Sequence, residues 1–480
     1  MEDKIVKSTI IYTALGLLPL SFALLFTPIY LRYLNPEEYG ILNLFSIYGG
    51  ILASIYTLGV NSAFGFIYWD YYKDKKKVHH LLASTIGLIL ILQLIIFTIG
   101  LIFGNTILNF ILTSPEIFPF YPFGLLTLIY PVFTVFYELF LPYFRNEGKI
   151  KSYASLSIST LFFLTLGSVL GIIVFNLKAE GAIIGRTIGY AVVVICFLIH
   201  FIFKVGIYFN KKLSKDLLKF GFPLMLSTII GSVSYSMDRI LVDRFSSIKD
   251  LGIYGLAIVI ASVLEIWFNA LNNALSPTIF KYMKDNIEGN KLKIQTLSHT
   301  IIFSVFLAAT VLIIVAKPLV ELIASEEYFD CIKYIPLLVI ALNARVFSSI
   351  KSYIFYRNSV TKKLPIIQII NLILTILFSY FLFKALGIIG IAIAVVVVKN
   401  IEVGIVNYYA NKINPFCFGF KNLQFISLSL ICAVLILTYL SFHVESYLIY
   451  FIPFTTLIIL SPILAKKELT NVINLLKNER

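Results

Sequence analysis

Apolar residues in this chain come in long unbroken runs separated by short polar stretches rich in lysine. The runs cover 8–31, 41–67, 80–104, 120–143, 152–176, 181–203, 217–242, 252–275, 297–323, 333–356, 364–384, 386–410, 422–442 and 446–465. Each is roughly 20 residues or longer, enough for a helix rising about 1.5 Å per residue to cross about 30 Å of hydrocarbon. Hydrocarbon offers backbone N–H and C=O groups no partners, so such runs must be helices or the strands of a closed barrel. Neither period-two alternation nor closely spaced turns interrupt them, which excludes a barrel. The pattern predicts an all-α polytopic membrane protein of about 14 transmembrane helices.

Composition agrees. Of 480 residues 59% are hydrophobic and only 13% charged, about half the charge that a water-soluble domain carries. The segment Met1–Ser8 is short and charged, and the apolar run after it is too long for a signal-peptide core, so it is read as the first span. With the N-terminus in the cytoplasm, 28 basic residues fall in inner loops, 7 in outer loops and 4 within helices. That bias predicts a multi-pass protein of the cell (plasma or inner) membrane with both termini cytoplasmic. It also accounts for the net charge of +14: the lysines are dispersed over short loops near anionic lipid and give no sign of a nucleic-acid surface.

Several catalytic and metal-binding classes find no support. Cys196, Cys331, Cys417 and Cys432 form no CxxC pair, His79-His80 adjoins a lysine run, and no phosphate-cradling glycine loop or HExxH is present. No cofactor is expected, with coupling to H+ or Na+ left open as the source of direction.

The chain repeats itself. Tyr39-Gly40 and Tyr254-Gly255 open the second and eighth runs, and Asp70 and Asp285 each stand thirty residues beyond the glycine. Tyr143-Phe144-Arg145-Asn146 corresponds to Phe355-Tyr356-Arg357-Asn358, with Lys151 and Lys363 six residues past each arginine. Lys178-Ala179-x-Gly181 corresponds to Lys384-Ala385-x-Gly387. An even number of helices per copy makes the copies parallel, a transporter's anatomy with a site between them. The expected organisation is therefore a six-helix lobe over 1–210, a second over 211–412, a central cavity, and a two-helix extension over 413–480. Within Asn35-Pro36-Glu37-Glu38, Asn35 is placed to cap the second helix, Pro36 suits its first position, and Glu38 can reach back to the cap.

The run Leu31-Arg32-Tyr33-Leu34-Asn35-Pro36-Glu37-Glu38-Tyr39-Gly40 resembles the start of helix two in polysaccharide biosynthesis flippases. Phe220-Gly221-Phe222-Pro223-Leu224 and the stretch from Met237-Asp238-Arg239 to Gly252-Ile253-Tyr254 resemble that family's seventh and eighth helices. The resemblance implies membership in the multidrug/oligosaccharidyl-lipid/polysaccharide exporter superfamily and a transporter rather than an enzyme. It implies a substrate of the O-antigen-unit type, a polyprenyl pyrophosphate bearing a short glycan, with membrane lipids and other glycan-assembly proteins as partners. Residues 8–31 carry no charged side chain, whereas the family's lipid II flippases and many multidrug antiporters place functional charges in the first helix. A cation-coupled multidrug exporter is the alternative, and a membrane-embedded glycosyltransferase is disfavoured by outer loops no longer than about fifteen residues.

Ionisable residues at bilayer depth are functional candidates because hydrocarbon penalises them. These are Arg345, Lys399, Glu402 and Glu265, with Arg186, Asp238 and Arg239 nearer the outer helix ends. Arg345 and Lys399 are candidates to receive a pyrophosphate, with Glu265 or Glu402 as a proton-coupled partner. Lys399 and Glu402, three apart on one face, could equally neutralise each other. Asn269, Asn272 and Asn273 either line a sugar path or pack against neighbours, and Glu138 is expected to reach the membrane interface.

Overall fold

The computed structural model describes residues 26–206, 208–358 and 363–416, with single positions 15, 360 and 418. Most of the run at 8–31, the runs at 422–442 and 446–465, and nearly all of the 413–480 extension lie outside the described residues. Among the described residues there is no strand, and eleven helical stretches are long and apolar enough to cross a membrane. They correspond one to one with the second to twelfth expected spans.

The helices, of which the short α2 is not one of the eleven, are in order α1 (Pro36–Thr57), α2 (Val60–Tyr71), α3 (Lys75–Ile111), α4 (Leu125–Asn146), α5 (Ile150–Val169) and α6 (Lys178–Val205). There follow α7 (Lys211–Phe245), α8 (Ile248–Asn286), α9 (Lys291–Ile323), α10 (Ile335–Lys351), α11 (Lys363–Leu386) and α12 (Ile388–Ile413). The chain forms two compact units, 1–255 and 256–480, the boundary falling within α8. This is a multi-pass membrane protein. Its outward side chains include Leu94, Ile102 and Phe110 on α3, Phe162 on α5, and Ile373 and Phe381 on α11, a surface that only lipid can cover.

The cap expected at the start of α1 is present. The Asn35 side chain accepts from Glu38 N at 2.9 Å, and the Glu38 carboxylate accepts from Asn35 N at 2.9 Å. Glu38 also meets Lys178 Nζ at 2.7 Å, tying the start of α1 to that of α6.

One expectation needs correction. The run 41–67 was expected as one helix, yet the backbone turns left-handed at Leu58 (φ 43°) and Gly59 (φ 75°), separating α1 from α2. Here α7 comes so close that a Cβ on Gly59 would stand 2.0 Å from the Gly221 carbonyl oxygen. Glycine alone accepts both the positive φ and the approach.

In the first unit, aromatic side chains of α2, α4 and α6 fill the core: Phe64, Phe136, Phe140, Tyr143 and Phe201 are buried, and Phe140 stacks on Phe201 at 4.6 Å. The Tyr-Gly pairs of the sequence repeat are packing points. Tyr39 and Tyr254 are buried, a Cβ on Gly40 would lie 2.0 Å from the Ile248 carbonyl oxygen, and one on Gly252 would lie 1.8 Å from that of Pro36. The first turns of α1 and α8 thus cross in backbone contact. In the second unit α10 is the most enclosed helix, packing against α9 and α12, while α11 lies along α12.

Candidate functional site

Four of the charged residues singled out from the sequence meet in the second unit. Arg345, on α10, donates from Nη1 to Glu265 Oε1 on α8 at 2.9 Å. On α12, Lys399 Nζ lies 2.8 Å from Glu402 Oε2. Ser348 joins the two pairs: one turn beyond Arg345, its hydroxyl bonds to the Arg345 carbonyl at 2.9 Å and lies 3.3 Å from Glu402 Oε1. The result is a chain of charge running from α8 through α10 to α12.

Two cations and two carboxylates cancel, which is how ionisable groups become tolerable at membrane depth. The carboxylates are the more enclosed members, 17% exposed for Glu265 and 16% for Glu402, against 38% for Arg345 and 32% for Lys399. The cationic ends are therefore the accessible side of the cluster. An arriving anion meets guanidinium and ammonium first, with the carboxylates behind. Bidentate N–H donors make the Arg345 guanidinium well suited to phosphate.

The asparagines divide. Asn272 accepts from the Tyr353 hydroxyl, and Tyr353 packs on Phe280 at 4.8 Å, so Asn272 is engaged in packing α8 against the turn Tyr353–Arg357. Asn269 is half-buried and Asn273 exposed. Lys351, the last residue of α10, is buried, its Nζ 5.3 Å from the centroid of the Phe418 ring.

The remaining candidates lie in the first unit. Asp238 and Arg239 form an ion pair at 3.8 Å and bond to their own helix. Asp238 Oδ1 accepts from Arg239 N at 2.9 Å, the Tyr254 hydroxyl reaches Asp238 Oδ2 at 3.2 Å, and Arg239 Nη2 bonds to the Tyr235 carbonyl at 3.0 Å. Arg239 also lies over the Tyr235 ring at 5.2 Å. Arg186, on α6, donates to Ser46 Oγ of α1 at 3.2 Å and lies within electrostatic reach of the Tyr30, Tyr130 and Tyr190 hydroxyls. Glu138, expected to reach the membrane interface, lies on α4. It stands eight residues inside the end of α4, about 12 Å along the helix axis.

Beyond the spans, the turn between α4 and α5 holds a compact polar knot. The Tyr68 hydroxyl donates to Glu147 Oε1 at 2.9 Å, and Lys149 Nζ meets Glu147 Oε2 at 3.0 Å. Burial opposes the charge on Glu147, but the Lys149 ammonium and the Tyr68 hydroxyl outweigh it and hold the carboxyl below its ordinary value. Burial raises the Tyr68 phenol, and its bond to Glu147 raises it further. Among the described residues no group of three or more histidine, cysteine, aspartate or glutamate side chains is placed to hold a metal ion.

With this geometry in view, comparison with known proteins is direct. The family described as polysaccharide biosynthesis protein matches residues 5–283, more than half of the chain. The chain belongs to this family. As a polysaccharide biosynthesis protein it is 27% identical over 144 residues to protein 1 of the Lsg locus of Haemophilus influenzae. That stretch is 29% of this chain and 35% of the relative, so the chain spans about a third of the length of the curated protein it matches.

Among solved structures, the lipid II flippase MurJ in an inward closed conformation superposes with a TM-score of 0.71 at 17% identity, covering 97% of this chain and 98% of that one. A multidrug resistance MATE family transporter of the MOP superfamily, in an inward-facing conformation, gives a TM-score of 0.70 at 19% identity, covering 83% and 95%. At these identities the likeness is one of fold. This polysaccharide biosynthesis protein has the fold of the membrane exporters.

Sequence reasoning passed over Ser348, which bridges the two ion pairs, and the tyrosines of α4 and α6. Ser348 carries no signal apart from its place one turn after Arg345. The tyrosines do carry one: Tyr130 and Tyr137 are seven residues apart on α4, and Tyr190 is one turn beyond Arg186 on α6. Each spacing sets its pair on one helix face.

Proposed function

We propose that this protein is a flippase that carries a polyprenyl-pyrophosphate-linked oligosaccharide, a surface-glycan repeat unit, from the cytoplasmic to the outer leaflet by alternating access. Both termini are then cytoplasmic. The family supports this reading. The observation that carries it is the neutral chain Glu265–Arg345–Ser348–Glu402–Lys399, whose cationic ends are the accessible ones.

Empty, the cluster is self-compensated. A pyrophosphate entering beside Arg345 and Lys399 competes with Glu265 and Glu402 for the same donors. Adding net negative charge at this depth is costly, so the displaced carboxylates gain a reason to take up a proton or a cation. Substrate binding and ion uptake are thereby linked, and a ligand that binds one state better shifts the protein toward it. The membrane potential contributes about 2.3 kcal/mol per charge per 100 mV.

The test is the pool of lipid-linked oligosaccharide in the native host. Deleting the gene, or replacing it with Arg345→Ala or Lys399→Ala, is expected to make completed units accumulate on the cytoplasmic face while surface glycan falls. Unchanged pools and surface glycan on deletion would refute the flippase reading and turn attention to drug efflux. Full export by both substituted proteins would remove the pyrophosphate role alone.

A further inference from the structure

Three tyrosines of the first unit meet in an arrangement that core packing does not require. The Tyr190 ring stands edge-to-face against Tyr130 at 5.3 Å and 86°, and against Tyr137 at 5.7 Å and 89°. Phe45 backs Tyr130 at 4.9 Å. All three tyrosines are half-buried, so each keeps part of its ring uncovered. Phenylalanine would pack as well in hydrocarbon; tyrosine adds hydroxyls to one small region.

Two opposite charges attend this wall without pairing. Arg186 acts electrostatically on the Tyr130 and Tyr190 hydroxyls and makes no ion pair among the described residues; its guanidinium donates to Ser46 and to the Tyr30 hydroxyl, two of its five donors. The Glu138 carboxylate acts on all three tyrosines and has neither a hydrogen bond nor an ion pair among the described residues. Glu138 is exposed on a membrane helix, eight residues before its end. An exposed carboxylate on a spanning helix faces water or a polar ligand, since hydrocarbon penalises it.

We infer that Tyr130, Tyr137 and Tyr190, with Glu138 and Arg186 at their rim, form a subsite for one sugar ring of the transported glycan. A pyranose offers an apolar C–H face and a rim of hydroxyls. The tyrosine rings match the face, and the carboxylate, guanidinium and phenol groups match the rim as acceptors and donors. The subsite thus recognises the glycan, separately from the pyrophosphate groups of the second unit. This inference rests on the flippase reading.

The experiment uses the full chain in nanodiscs and two probes: a bare polyprenyl pyrophosphate and the same lipid carrying two hexose units. The wild type is expected to prefer the glycosylated lipid by at least tenfold. Tyr190→Leu and Glu138→Gln should each reduce that preference about tenfold, with affinity for the bare lipid unchanged, while Tyr190→Phe keeps most of it. Glu138 is exposed, so E138Q remains informative even if Y190L does not fold. Equal affinity of the wild type for both probes, or wild-type preference in E138Q and Y190L, would overturn the subsite and leave the flippase reading standing. Failure of the wild type to bind either lipid would overturn the reading beneath it.

Discussion

Glycines bring α5 and α6 into backbone contact, and adding one methyl group there tests how far the position of Arg186 and Tyr190 depends on it. A Cβ on Gly185 would stand 2.0 Å from the Gly167 carbonyl oxygen, and one on Gly167 would stand 2.3 Å from that of Gly185. Gly171 and Gly181 repeat the pattern at 2.0 and 2.3 Å, and Gly189 would meet the Phe163 carbonyl at 2.5 Å. A comfortable carbon–oxygen contact is about 3.3 Å, so Gly185→Ala must push the helices apart by about 1 Å. A gap of that size forfeits a quarter to a half of each contact's dispersion energy along the seam. Overpacking of this kind costs about 1–3 kcal/mol, against about 1 kcal/mol gained from alanine's helix propensity.

Gly50 in α1 is the control, because a Cβ there meets nothing within 4 Å. Thermal unfolding in detergent should show G185A falling by a few degrees and G50A unchanged or higher. Gly185 and Gly189 directly precede Arg186 and Tyr190, so G185A should also lose transport where G50A does not. If G185A proves as stable and active as G50A, the close seam is not what positions these side chains.

Three further outcomes are expected. Glu265→Gln removes the partner 2.9 Å from Arg345 and should cost about 1–3 kcal/mol in stability, largely restored in E265Q/R345Q. The single variant should bind bare polyprenyl pyrophosphate more tightly than wild type and R345Q less tightly, and equal affinities would count against the anion-receptor role. Asn35→Ala removes the side-chain acceptor of Glu38 N while the residue-35 N–H can still donate to the Glu38 carboxylate, and should cost about 1 kcal/mol, seen as faster hydrogen exchange in the first turn of α1. The lowered Glu147 carboxyl stabilises the fold fully above its ordinary value of 4.5 and loses that contribution as pH falls through the folded value. Melting curves from about pH 3 to about pH 6 should therefore show E147Q less stable than wild type near pH 6, with the difference closing toward acid; a constant difference would contradict the linkage.

The spans α1 and α3 to α12 were legible from hydropathy because lipid penalises every unpaired backbone group, so run length alone selects helix. The Asn35 cap was legible for a local reason: its partners lie three residues away and come into reach whenever the helix starts. Lys399 and Glu402 belong to the same class, since three residues along one helix bring their side chains together.

Other features depend on chain segments far apart in sequence. The break at Leu58–Gly59 answers the approach of Gly221 on another helix, and hydropathy is blind to it. Glu265 and Arg345 are eighty residues apart, so composition could mark both as costly but not as partners. Glu138 was expected at an interface because it lies near the end of an apolar run; its place beside the three tyrosines depends on how α4 and α6 meet. The sequence by itself determined the membrane as solvent, the helices and the residues too polar for their depth. Only the tertiary structure decided which of those residues neutralise each other and which, like Glu138 and Arg186, have no ion-pair partner among the described residues and stand beside the tyrosines. Depth is set by local hydropathy, but pairing is set by which helix faces meet.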